Sequence, residues 1–163
     1  ESHSEFAGKL ELRNVGKIDV HAVESLHKYG LEKYLHRVDY IPHNEVIAEQ
    51  HKASVLLLLV NNTPNARLIL TGKLFEYLAT GNTIIGIGPV AGDASKIIND
   101  CAAGKMFDYN DLDSIVEFLK AAYTQWNNVA TLSRKNRCNE FSRKYLTSKI
   151  VELFKENLTR LNL

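Results

Sequence analysis

Two short apolar runs limit what this chain can become: Ser54–Val60 (SVLLLLV) and Thr83–Ile87 (TIIGI). Neither run alternates with polar residues. Each therefore suits a strand buried on both faces, as in a parallel sheet covered by helices. The segments around them complete the pattern. Leu10–Val15 alternates apolar and polar residues and ends at Gly16, the mark of a strand. Val20–Tyr29 carries Val20, Val23, Leu26 and His27 at helical spacing and stops at Gly30. Val38–Ile41 is a short strand closed by Pro42, and Asn44–Lys52 is a helix with Asn44 as its N-cap. After the polar loop Asn61–Arg67, Gly72–Thr80 is a helix with Gly81 as its C′ residue. Ala94–Cys101 is a helix, Lys105–Tyr109 a strand, and Leu112–Trp126 a helix with Ile115, Phe118, Leu119 and Ala122 on one stripe. Residues 132–160 are mostly helical and amphipathic. Strands alternating with helices of this length predict an α/β domain of three layers, α/β/α, around a parallel sheet. Ligands of such sheets bind beyond the carboxyl ends of the strands. The loops to inspect are therefore Gly16–Asp19, Pro42–Asn44, Asn61–Gly72, Gly88–Asp93 and Asn110–Asp111.

Composition narrows the function. A chain of 163 residues with 45% hydrophobic residues is long enough for one ordinary domain with a real core, and 1–163 reads as a single domain. The formal net charge of +1 carries no general nucleic-acid footprint. The charge is unevenly placed: residues 133–163 sum to +5 and the rest to −4. Cys101 and Cys138 make no metal or redox spacing, and their distance in sequence sets no pairing, so a reducing cytoplasm is the default compartment. The longest apolar run, Val55–Val60, is too short to span a bilayer, and ESHSEF lacks the layout of a signal peptide.

The most informative segment is Thr71–Ile85, TGKLFEYLATGNTII. On a helix, Leu74, Phe75, Leu78 and Ala79 share an apolar face, while Lys73, Glu76 and Thr80 fall on another. Gly72 lets a ligand approach the backbone closely. The N–H groups of the first turn and the helix dipole favour an anion there, and Lys73 adds a full positive charge. Glu76, one turn further, is placed to accept hydrogen bonds from the vicinal hydroxyls of a ribose. A nucleoside diphosphate fits this set. The plain alternative is an exposed Lys73–Glu76 ion pair, a contribution of at most ~0.5 kcal/mol.

The string GKLFEYLATGNTIIGIG resembles the donor-site helix of GT-B glycosyltransferases of the group 1, family 4-like kind, with their Lys-x-x-Glu-Tyr-x-Ala-x-Gly pattern and following strand. Val38–Val46 (VDYIPHNEV) is similar to the family's Gly-Tyr-Val-Pro-His-x-Glu-Val strand and loop, with Asp39 in place of Gly. Lys52–Leu58 (KASVLLL) resembles its Ala-Asp-Val-Leu-Leu strand, with Ser54 in place of Asp. Ser95–Asp108 resembles its helix, Ala-Gly and short-strand segment. The resemblance covers roughly residues 10–125, and 130–163 are C-terminal helices beyond it. It implies a Rossmann-like, C-terminal donor-binding half of a GT-B fold, which takes a nucleotide-diphospho-sugar. The sugar passes to a glycan, lipid-linked or other acceptor, as in polysaccharide or lipopolysaccharide biosynthesis. Carried over by position, Glu76 binds the ribose hydroxyls. Lys73, Gly72, Thr71 and Leu74 lie near the diphosphate, Tyr40, Ile41 and Pro42 lie beside the base, and Gly16 stands at a neighbouring strand end. No cofactor and no obligatory metal is implied, since helix N–H groups and Lys73 stabilise the leaving diphosphate.

Three departures accompany the match. A second Glu, eight positions before the ribose Glu in many retaining members, is Leu68 here. The Arg/Lys pair of the family's first strand and loop has no counterpart, as if the chain began at the second strand. The N-terminal acceptor domain is absent, so the expectation is a fragment that binds nucleotide weakly and turns over nothing. Its setting is cytoplasmic, with the basic tail available to an anionic membrane face. A nucleotide-sugar 2-epimerase half and a non-catalytic α/β binding module are the competing readings.

The weaker motifs carry bland explanations. Gly86–Ala91 fits the dinucleotide pattern G-x-G-x-x-A but lies on a late strand with Pro89 inside the turn, and reads as a strand-end loop. His43 has a local role at a helix start, and the scattered histidines form no metal-ligand pattern. Asp111 and Asp113 are helix caps.

Overall fold

A computed structural model describes residues 2–128 and 138–160. The chain divides into two compact units, 1–52 and 53–163. Every strand pairing is parallel, as the alternation implies, but the pairings form two sheets, one per unit.

The first unit opens with helix α1 (Ser2–Lys9), which the sequence pattern did not suggest. Strand β1 (Leu12–Val15) pairs with β2 (Leu35–Val38) in the register Leu12↔Leu35 to Val15↔Val38. Helix α2 (Val20–Lys28) connects them; Asp19 caps it by accepting from the His21 N–H at 2.9 Å, and Gly30 leaves it at φ +67°. A 3-10 turn, Glu32–Tyr34, leads into β2. The expected strand Val38–Ile41 thus lies three residues too late. Pro42 has no N–H to give a ladder. Its carbonyl instead accepts from Glu45 and Val46, so helix α3 (His43–Lys52) starts at His43 and not after an Asn44 cap. The unit has no fully buried residue among 5–52. It is tied by an ion pair between Arg13 Nε and Glu49 Oε2 at 3.0 Å, with Lys52 Nζ on Glu49 Oε1 at 2.6 Å.

The second unit holds the sheet β3–β4–β5, made of Val55–Leu59, Thr83–Ile87 and Gly104–Phe107. Helix α4 (Gly72–Thr80) joins β3 to β4, and α5 (Asp93–Asp100) joins β4 to β5. Helix α6 (Leu112–Asn128) follows; Asp111 caps it by accepting from Ser114, and Phe118 packs edge-on against Phe107 with centroids 5.4 Å apart. A 3-10 turn, Asn139–Phe141, precedes α7 (Arg143–Arg160). The start of the expected C-terminal helical region, 132–137, lies outside the described residues. The core gathers Leu58, Leu74, Ile84, Ile98 and Met106, with Cys101 and Cys138 joined in a disulfide that sequence spacing alone left open.

One expectation fails at β3. Leu56 and Leu58 are buried, but Leu57 and Leu59 are 53% and 58% exposed. Successive side chains of a strand point to opposite faces, and at β3 only the face of Leu56 and Leu58 is buried. Among the described residues no helix is long and apolar enough to cross a membrane.

Candidate functional site

The carboxyl end of β3 leads through residues 60–71 into α4. Thr71 sits in extended conformation (φ −98°, ψ 151°) and caps the helix, its Oγ1 accepting from the Leu74 N–H at 3.4 Å. The Leu74 N–H also donates to the Thr71 carbonyl at 3.1 Å. The helix ladder leaves the N–H groups of Gly72 and Lys73 without an intrahelical acceptor, at the positive end of the dipole. No acidic residue stands in this first turn. Gly72 and Lys73 are exposed, and the place where a Gly72 Cβ would stand is open space. Glu76 is half-buried one turn on. Beside it, burial pushes the Tyr77 phenol above its ordinary 10.0, and the Glu76 charge adds to the effect. This geometry suits a dianion capping the helix, with a hydroxyl-bearing group reaching back to Glu76.

Leu74, an expected site residue, and Thr80, which spacing only places on the Lys73–Glu76 face, are both engaged within the fold. The Leu74 side chain is fully buried, on the apolar face that spacing gives it, and its N–H is engaged by Thr71. Thr80, on the Lys73–Glu76 face by spacing, is 5% exposed. Its Oγ1 donates to the Tyr77 carbonyl at 2.7 Å and accepts from the Asn82 N–H at 3.0 Å, closing the helix end. Gly81 completes that end in the left-handed region at φ +71°.

The remaining expected residues lie in the first unit. The Gly16 N–H donates to the Val38 carbonyl at 2.9 Å, which places Gly16 beside the carboxyl end of β2. Tyr40 (89% exposed), half-buried Ile41 and exposed Pro42 follow that same strand end. The nine expected residues therefore form two groups, each at the carboxyl end of its own parallel sheet, where an α/β fold binds ligands. Leu68, standing where many retaining members have a second Glu, is 72% exposed on the 3-10 turn Ala66–Leu68. Arg67 is exposed on that turn, a cation between β3 and α4 that no motif spacing singled out.

The glycine-rich loop after β4 has a packing explanation. A Cβ on Gly86 would stand 2.6 Å from the Met106 sulfur, and one on Gly88 would stand 2.8 Å from the Val60 Cβ. Gly92 lies close against the Arg67 backbone. Helix α5 begins at Gly92 without a side-chain cap and with Asp93 in its first turn, which works against an anion. Two grooves of the second unit, about 460 and 340 Å³, run along α5. Asp93, Asp100 and Lys96 line each of them, an acidic excess that works against a diphosphate. Among the described residues no group of three or more His, Cys, Asp or Glu side chains is placed to hold a metal ion.

No family model matches the chain, and no curated protein matches it. Solved structures do. One is WaaG, a glycosyltransferase involved in lipopolysaccharide biosynthesis, at a TM-score of 0.63 and 18% identity over 87% of this chain. The chain spans 37% of the length of that protein. The likeness establishes the fold: α/β and Rossmann-like, of the kind that forms half of a GT-B enzyme.

Proposed function

We propose that the chain is the donor-binding half of a glycosyltransferase that takes a nucleotide-diphospho-sugar. The observation that carries this reading is the start of α4. There an exposed Gly72–Lys73 pair, in a first helical turn without an acidic residue, and the half-buried Glu76 come after the carboxyl end of a parallel strand. A fold shared with a glycosyltransferase supports it.

In this reading the diphosphate caps α4. The N–H groups of Gly72 and Lys73 and the Lys73 ammonium take up charge as it develops on the leaving diphosphate, and Glu76 accepts hydrogen bonds from the ribose hydroxyls. In the first unit, the carboxyl end of β2, with Gly16 and the Tyr40–Pro42 backbone, suits a base. No divalent metal is required, because the helix and Lys73 do its electrostatic work. The acceptor and any general base belong to a further domain, so residues 1–163 bind nucleotide without turnover.

Calorimetric titration with UDP, GDP and their sugars tests this. Weak binding is expected, unchanged by a chelator. Glu76→Ala is expected to weaken it roughly tenfold, about 1.4 kcal/mol. Equal affinity in Glu76→Ala and the unaltered chain would sink the assignment.

A further inference from the structure

The second unit closes on itself through a covalent link that the nucleotide reading does not use. Cys101 is the C-cap of α5 and Cys138 precedes the 3-10 turn Asn139–Phe141; they are 37 residues apart, with Cα atoms separated by 5.3 Å. That separation lies within the range of ordinary disulfides. Both cysteines are buried, at 3% and 6% exposure, in the cluster that contains Leu74 of α4 and Ile98 of α5.

The segment after Cys138 connects the link to the candidate site. The Phe141 N–H donates to the Cys138 carbonyl at 3.4 Å, and the Phe141 ring packs against Phe75 with centroids 5.8 Å apart. Phe75 lies between Lys73 and Glu76 in α4. Ser142 then starts α7, its Oγ accepting from the Tyr145 N–H at 3.2 Å. Beyond that point residues 143–158 are exposed along the helix. Cys138 and Phe141 are the members of this segment that join the core cluster.

We propose that the Cys101–Cys138 disulfide is a redox-sensitive fastening. It holds Phe141 against Phe75 and so keeps the start of α4 in its nucleotide-binding geometry. The proposal rests on the nucleotide reading of α4. The reductant is a dithiol. Its thiolate attacks one protein sulfur and breaks the S–S bond. Its second thiol resolves the mixed disulfide. The dithiol leaves as a disulfide, having given two electrons and two protons, and Cys101 and Cys138 remain as thiols. Because both sulfurs belong to buried residues, the reductant enters when the 138–142 segment lifts. Reduction removes the cross-link that would restore that segment to its place.

The test compares the air-oxidised chain with the same chain in dithiothreitol. Peptide mapping without reductant should give a cross-linked pair containing Cys101 and Cys138 and no free thiol. On reduction, amides of 139–155 should exchange faster with deuterium, and UDP affinity should fall roughly fivefold or more. Removal of the dithiothreitol and reoxidation should restore both. A Cys101→Ala/Cys138→Ala variant should match the reduced state and ignore the reductant; should it fail to fold, the reoxidation cycle gives the same comparison. Free thiols in the oxidised chain, or exchange unaltered by reduction, overturn the fastening. Exchange that responds while UDP affinity does not overturns its link to α4. Absence of UDP binding in both states defeats the nucleotide reading and the regulatory role with it, while the exchange result still decides whether the segment is fastened.

Discussion

Gly104 sits at φ +152°, where a Cβ would stand 1.9 Å from the Ile84 carbonyl oxygen and 2.7 Å from its carbon. Those atoms belong to the neighbouring strand backbone and cannot swing aside. Gly104→Ala therefore has to distort β5 or break its pairing with β4, a cost of about 3 kcal/mol or more. Thermal unfolding followed by circular dichroism should show a large fall in the midpoint; a change within the error of the measurement would contradict this packing. At the same scale, Thr80 shows why a helical face read from spacing overstates what is accessible. Spacing places a residue on a side of the helix, but whether that side meets solvent or core depends on what packs there. Lys73 and Glu76 stay accessible, whereas Thr80 is spent on closing the helix end.

Helix α4 and strand β4 have the bounds that sequence reading gives, because both are marked by local signals: Gly81 after the helix and a short run rich in isoleucine. Strand β3 has equally clear local signals, yet one of its faces is open. Full burial requires neighbours on both faces, and no local pattern reports which faces other elements will cover. Leu57 and Leu59 on an edge strand are a hazard for self-association. Replacing both with lysine should leave the circular dichroism spectrum intact and reduce association in sedimentation experiments. If the substitutions unfold the chain instead, these side chains are packed and the edge is covered.

Across the whole chain, the two units differ in what holds them. The second has a fully buried core, whereas the first has no fully buried residue among 5–52. Two unfolding transitions are expected in calorimetry, the first unit melting earlier. That transition should also be sensitive to acid. The hydrogen bond from Lys52 holds the Glu49 carboxyl below its ordinary 4.5; desolvation works the other way, and the charges of Arg13, Lys52 and His36 add to the lowering. A carboxyl whose folded pKa is depressed stabilises the fold fully above its unfolded value. That contribution is lost as pH falls through the folded value. The early transition should therefore shift down below about pH 4.5, and Glu49→Gln should flatten the shift. A single transition, with the same acid response in both proteins, would contradict this division.

The α/β order, the parallel pairing and the bounds of α4 and β4 were all legible in the amino-acid sequence. These depend on hydrophobic period, caps and turns within a few residues of one another. Packing settled the rest: that the pairings form two sheets, that Leu57 and Leu59 are exposed, and that Cys101 meets Cys138. Each of these is a relation between residues far apart in the chain. Burial and covalent pairing are set by which surfaces meet once the elements pack, and no local spacing carries that information.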